Sequence, residues 1–363
     1  MVEQPTSYEI PKTQKAAVVT QYGEDFKVEV QTDFPVPEIK SDEILVRLYS
    51  SGVCHSDLSA IKGSWGSKMQ VQVAGHEGYG YIVKHGSLVD PTAYPLGTKV
   101  GVPLLYNPCR TCSACLIPDG EAFCLKSKFY STHINGTWQQ YVNIHSQYVI
   151  PVPDISKEHE NEIGPILCGG LTVYRGIKSS QARAGKTIVV TGAGGGLGSL
   201  AIQYATAIGL RVIAIDTGAD KEALTKKLGA EVFIDYAKEK DIVSAVKNAT
   251  GGLGAHVVLS LAPSEASYNQ TLHYLAVQGT LICIGLPKVG VNLTFPPMLA
   301  IMKGIRIIGS LVGTRNDILE ALDFLARDKV HPSITVHPIE DIQAILDRMD
   351  KGQLPGRAVI TFD

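Results

Sequence analysis

The chain lacks what would place it in a membrane or on nucleic acid. None of its apolar runs approaches the roughly 20 residues needed to cross a bilayer. Neither sign of charge dominates: 33 Lys and Arg stand against 35 Asp and Glu, a net of −2. No basic field therefore points to nucleic acid or an anionic lipid surface. The opening MVEQPTSYEIPKTQK has no hydrophobic signal core, and the closing TFD carries no retention or peroxisomal address. We expect a soluble cytoplasmic protein. Internal repeats and low-complexity tracts are absent too. Cysteine is sparse, odd in number at seven, and clustered, which favours thiolate ligands in a reducing compartment over disulfides.

What is present is length for two domains with ample cores, and a change of texture between them. Before about Gln14 lies a polar, Pro-containing arm. From Lys15 to Val152 the runs AAVV, EILVRLYS, GYGYIVK and QYVNI, set between Gly, Pro and Asn turns, read as strands. An apolar, helix-like run over Asn161–Lys178 leads into the second half. After Gly185, the strand-like runs TIVVT, RVIAI, EVFID, HVVLSL, GTLICIG and IRIIGS alternate with helical segments, the pattern of a doubly wound parallel sheet. From Ser310 the chain is expected to return to the first domain through a helix, Asp317–Arg327, and a last strand, Arg357–Thr361. The fold class is α/β, with a β-rich domain over 1–164, a parallel-sheet domain over 165–309 and a return over 310–363.

The stretch TIVVTGAGGGLGSLAIQYATAIGLRVIAID, Thr187–Asp216, runs strand, glycine turn, helix, strand, acid. That is the order a dinucleotide site needs. Gly192, Gly194, Gly195, Gly196, Leu197 and Gly198 form a turn whose backbone N–H groups can approach a pyrophosphate at a helix N-terminus. Asp216 can accept from an adenosine ribose and would repel a 2′-phosphate, so the cofactor reading is NAD over NADP.

Cys109, Cys112 and Cys115, followed by Cys124, can close a tetrahedral shell around a structural zinc. An iron–sulfur centre and unliganded thiols are the alternatives; no Cys-Pro follows at the spacing a ferredoxin-like cluster uses. Cys283, inside an apolar strand, reads as a buried small hydrophobe. Cys54, His76 and Cys168 would each singly pass as core or turn residues. Together they supply two thiolates and an imidazole from three separate segments, an open zinc set with a fourth position for water or a substrate oxygen.

The chain resembles the zinc-dependent medium-chain dehydrogenases, most closely the yeast-type NAD-linked alcohol dehydrogenases. The resemblance rests on SGVCHSDL, GHEGYG, the four-cysteine lobe, NGTWQQY, PILCGGLTVY, TGAGGGLGSLAIQYA, EVFIDYAKEKDIV, GSLVGTRND, EALDFLAR and KGQLPGRAVI, and extends from about residue 15 to the C-terminus. It implies a GroES-like catalytic domain, with a structural zinc lobe at about 105–126, interrupted by a Rossmann domain. It implies hydride transfer between an alcohol and NAD, two Zn2+ per chain, small alcohol or aldehyde substrates and a homotetramer. By position, it implies Cys54, His76 and Cys168 on the catalytic zinc, with Glu77 and Asp57 beside it, and Ser56 as the hydroxyl that hands off the substrate proton. His55, Thr172, Asp216, Lys221, Ser310 and Arg357 fall on cofactor-side positions, and Trp65 on the pocket wall.

Some positions depart from the family pattern. Lys62 stands where the proton relay usually ends in a histidine; it reads either as a relay member or, preferably, as a solvated surface lysine with protons leaving through water. Ser59 replaces a pocket-side histidine. Leu105 stands near a usual Trp and Leu286 replaces a Met, which suggests a primary alcohol bulkier than ethanol. Eight residues rather than seven separate Cys115 from Cys124, and extra residues lie near Pro91–Tyr94; surface loops absorb such insertions at small entropic cost. The alternatives are a pathway-specific NAD(P)H-dependent ketone or enone reductase on this scaffold and a non-catalytic nucleotide-binding homologue.

Overall fold

The computed structural model describes residues 7–66, 69–287 and 289–362. It divides into two compact units: Met1–Cys168 with Thr314–Ala326 and Ile334–Asp363, and Gly169–Gly313 with Arg327–Ser333. The expected boundaries thus shift by four residues at each crossing, and Arg327–Ser333 belongs with the second unit. The first shift has a steric cause. Gly164 lets the bridging run close on the ligand-bearing segments, since a Cβ there would stand 2.6 Å from the Glu77 carbonyl oxygen. Ile163, Ile166 and Leu167 are buried with it, and the run through Cys168 stays with the first unit.

The first unit opens with β1 (Thr13–Gln21), β2 (Lys27–Pro35), β3 (Glu43–Val53), β4 (Gly78–His85), β5 (Lys99–Val102), β6 (Leu105–Asn107), β7 (Lys128–Phe129), β8 (Tyr141–His145) and β9 (Ile150–Pro151). The second unit holds β10 (Thr187–Thr191), β11 (Arg211–Asp216), β12 (Val232–Asp235), β13 (Ala255–Ser260), β14 (Leu275–Cys283) and β15 (Arg306–Gly309); β16 (Ile334–Pro338) and β17 (Arg357–Thr361) return to the first.

In the first unit a seven-stranded sheet runs β16-β17-β3-β4-β5-β9, with β8 also paired to β3. β3 is its spine. Ile44, Val46 and Leu48 pack with Ile82, Val100, Val102, Trp138, Val142 and Ile144 in the core. Two small antiparallel ribbons, β1-β2 and β6-β7, complete it. In the second unit the six expected runs all form strands, in the order β12-β11-β10-β13-β14-β15, and all pair in parallel. β10 is buried along its whole length, as a strand covered on both faces must be. The order reverses at β10, with β11 on one side and β13 on the other, so the turn after β10 opens at a topological switch point, where such sheets bind ligands. No helix among the described residues is long and apolar enough to cross a membrane.

Candidate active site

Cys54 follows β3 directly and caps the helix His55–Lys62; His76 and Glu77 immediately precede β4; Cys168 lies in the irregular turn Ile166–Gly170. Strand ends and a π-helical turn thus bring three distant segments to one buried point. The sulfur atoms of Cys54 and Cys168 are 3.9 Å apart, and His76 Nε2 is 3.2 Å from Cys168 Sγ. Metal–sulfur bonds of about 2.3 Å at tetrahedral angles place two sulfurs about 3.8 Å apart. The donor set therefore fits zinc. A Glu77 carboxylate oxygen lies within the same 4.8 Å cluster.

The surroundings prepare these donors. His76 Nδ1 meets Asp57 Oδ1 at 2.8 Å, which leaves Nε2 for a metal. Asp57 is fully buried and also accepts from the Gly75 amide (3.0 Å), the Ser131 hydroxyl (2.6 Å) and the Cys54 amide (3.1 Å). A hydrogen bond from Cys168, with help from the nearby Arg357 guanidinium, holds the Cys54 thiol well below its ordinary range. Burial pushes Glu77 up to about 7, against the pull of Arg357. Glu77 Oε2 is buried with no hydrogen-bond partner, an orphan that a cation would satisfy.

Arg357 and Lys62 are both held by carboxylates. Arg357, a cofactor-side position by resemblance, is buried on β17, where its guanidinium is paired with Glu77 Oε1; a buried carboxylate needs that countercharge. Lys62 is not a free surface lysine: its Nζ pairs with Glu24 at 2.7 Å and Asp350 at 2.8 Å. On the same helix, His55 is exposed and Ser56 half-buried in the first turn. Trp65 is partly exposed, and Leu105 is packed away on β6.

In the cysteine lobe all four sulfurs lie within 4.8 Å of one another. The Cys109 amide donates to Cys124 Sγ at 3.1 Å, and Cys112 Sγ is 3.9 Å from Cys124 Sγ. Donation from the Thr111 amide, then its hydroxyl, lowers the Cys109 thiol to about 6. The long Cys115–Cys124 spacer is taken up by a 3₁₀ turn, Gly120–Phe123. Four thiolates at these separations fit a closed tetrahedral site.

In the second unit Gly192 takes φ 68° at the end of β10, and the helix Gly196–Ile208 starts at Gly195. Gly198 must lack a side chain, because a Cβ would stand 2.3 Å from the Gly192 carbonyl oxygen. The first N–H groups of that helix, Gly196, Leu197 and Gly198, have no partner within it by geometry. Asp216 ends β11. Its Oδ2 accepts from the Gly194 amide at 2.8 Å, and its Oδ1 from Lys221 Nζ at 2.7 Å and the Thr217 amide at 2.8 Å. Glycine turn, acid and lysine are thus one connected group. Ser310 presents a buried hydroxyl oxygen without a partner, Thr172 is half-buried, and Leu286 is exposed. Three contributors escaped the sequence reading. Thr191 Oγ1 accepts from the Leu261 and Ala262 amides, tying the turn to the end of β13. The Ser131 hydroxyl donates to Asp57, which orients His76, and Thr137 Oγ1 accepts from the Glu77 amide. Nothing local in the sequence marks them, since their partners lie 60 to 86 positions away.

A buried two-thiolate, one-imidazole pocket on one unit and a glycine turn with its acid on the other define a metal-dependent nicotinamide oxidoreductase. Known proteins agree. Residues 40–154 match the alcohol dehydrogenase GroES-like domain, and residues 196–327 match the zinc-binding dehydrogenase family. Alcohol dehydrogenase 1 of Emericella nidulans is 39% identical over 97% of this chain and 98% of its own length. Alcohol dehydrogenase 1 of Neurospora crassa is 41% identical over the same shares. The structure of acetophenone reductase from Geotrichum candidum in complex with NAD superposes with a TM-score of 0.83 at 28% identity, over 98% of this chain and 99% of that one. The chain belongs to the zinc-dependent medium-chain alcohol dehydrogenases; its fold is a GroES-like domain joined to a Rossmann domain.

Proposed function

We propose that this enzyme oxidises primary alcohols bulkier than ethanol with NAD, reduces the corresponding aldehydes, and holds two zinc ions per chain. The observation that carries this reading is the Cys54–His76–Cys168 triangle, three buried donors at tetrahedral spacing, which leave the fourth position of a zinc ion to a substrate oxygen. Zinc held there supplies a Lewis acid for that oxygen, and the nicotinamide supplies the hydride acceptor.

The chain's own residues do the rest. Asp57 fixes the tautomer and orientation of His76. Ser56, in the first helical turn and half-buried, takes the hydroxyl proton of the substrate. Protons then leave through water, because Lys62 is engaged by two carboxylates. Asp216 accepts from the adenosine ribose and its charge disfavours a 2′-phosphate; Lys221, already at its side, and the Gly192–Gly198 turn hold the remaining dinucleotide groups. His55, Thr172 and Ser310 are the further cofactor contacts. The preference for a longer substrate rests on sequence: leucine stands at Leu105, near where related enzymes carry a Trp, and at Leu286, where they carry a Met.

The protein is proposed to be a cytoplasmic homotetramer. Self-association is supported by the edge of the Rossmann sheet, where Met298, Ile301 and Met302 beside β15 are each more than three-quarters exposed. Unpaired sheet edges and apolar patches of this kind mark interfaces.

The test is the rate of nicotinamide absorbance change with a ladder of primary alcohols, aldehydes and ketones, using NAD and NADP in parallel. We expect kcat/KM to rise from ethanol to longer primary alcohols and to favour NAD by at least about tenfold. A steady fall with chain length would contradict the wide pocket. Ketones turned over faster than aldehydes would favour the ketone-reductase reading.

A further inference from the structure

Ser131 joins two parts of the first unit. It lies two residues beyond β7, the strand that leaves the cysteine lobe, and follows the fully buried Tyr130. Its φ is 63° and it is 3% exposed. Glycine adopts that backbone region more readily than serine, so a hydroxyl contact is needed to offset the strain. The contact is the 2.6 Å bond from Ser131 Oγ to Asp57 Oδ1.

Asp57 is the acid on which two metal donors depend. One oxygen meets His76 Nδ1 and the other accepts from the Cys54 amide. The segment following Ser131 wraps the same loop: Thr137 N donates to the Gly75 carbonyl at 2.9 Å, Trp138 N to the Ala74 carbonyl at 3.0 Å, and Glu77 N to Thr137 Oγ1 at 3.3 Å. Those bonds hold the loop's backbone. The Ser131 hydroxyl reaches the carboxylate itself, and a hydrogen bond to a charged acceptor is stronger and more directional than one to a neutral group.

We propose that Ser131 is a positioning residue for the catalytic metal: it fixes the Asp57 carboxylate that orients the His76 ring, and so links the exit strand of the cysteine lobe to the Cys54–His76–Cys168 pocket. The inference rests on the reading of that pocket as a zinc site. Acting one bond further out than Asp57, Ser131 affects retention of the metal before it affects the fold.

The test uses the zinc-loaded enzyme challenged with a chelator, with zinc release followed by a chromogenic dye. The pocket zinc is identified as the one missing from a Cys168→Ala variant. Ser131→Gly removes the hydroxyl and relieves the backbone; Ser131→Ala removes it and keeps the strain. Both are expected to release the pocket zinc about 3- to 30-fold faster than the native enzyme, with the lobe zinc unchanged. Ser127→Ala, which loses a bond to the Asn107 carbonyl inside the lobe, should leave pocket release at the native rate. If Ser131 served the backbone alone, Ser131→Gly would release zinc at the native rate and melt at a higher temperature; that result would overturn the proposal. A native enzyme carrying no pocket zinc would instead overturn the metal-site reading beneath it.

Discussion

At the scale of single residues, rarity decided what could be read. Cysteine and histidine are scarce enough that Cys54, His76 and Cys168 stood out before any contact was known, and the structure brings them within bonding range of one ion. Lys62 shows the opposite case. As a lysine on a helix it could be a relay member or a solvated side chain, and only the fold shows it between Glu24 and Asp350, the latter 288 positions away. The hydrogen bond to Asp350, then that to Glu24, raises its pKa. A raised value means that the pairing is fully in place below the ordinary lysine range and is lost only as pH climbs through the raised one. Lys62→Met should therefore lower stability at neutral pH by about 1 kcal/mol or less, as exposed ion pairs do, and leave the pH profile of kcat where it was. Thermal melting and a pH–rate series check both halves; a displaced kcat profile would restore Lys62 to proton transfer.

At the scale of elements, the Rossmann strands were legible because burial on both faces writes them as continuous apolar runs, such as the wholly buried β10. In the catalytic domain the longer runs, AAVV, EILVRLYS, GYGYIVK and QYVNI, were legible and lie in β1, β3, β4 and β8; the rest was legible only as texture. Its short strands, β7 and β9 of two residues each, carry no periodicity, and much of what aligns them is polar. Glu43 on β3 is the clearest case. Its buried carboxylate accepts from the Tyr106 hydroxyl, the Lys40 amide and ammonium, and Asn143 of β8, so one side chain ties β3 to β6 and β8. Burial alone would raise its pKa, but those donors together lower it. A depressed carboxylate stabilises the fold above its unfolded value and loses that contribution as pH falls through the depressed one. Glu43→Gln should cost about 1–3 kcal/mol at neutral pH, with the gap to the native protein narrowing in acid. Urea unfolding at several pH values measures it. A gap independent of pH would show that shape rather than charge matters at this junction.

At the scale of the whole molecule, two chemistries sit on two separately cored units, and each carries half of the reaction. The texture change near residue 185 announced that division. It could not place Arg327–Ser333 with the second unit, because that assignment comes from packing and not from local pattern. The central claim is that alcohol oxidation by this enzyme runs through zinc at Cys54, His76 and Cys168, while a second zinc in the lobe is structural. The most direct measurement is zinc per chain together with NAD-linked turnover of a primary alcohol, for the native enzyme and for Cys168→Ala. We expect two zinc ions per native chain, and in the variant a single retained zinc, an intact fold and turnover at background. Turnover at the native rate with the pocket zinc gone would contradict the account.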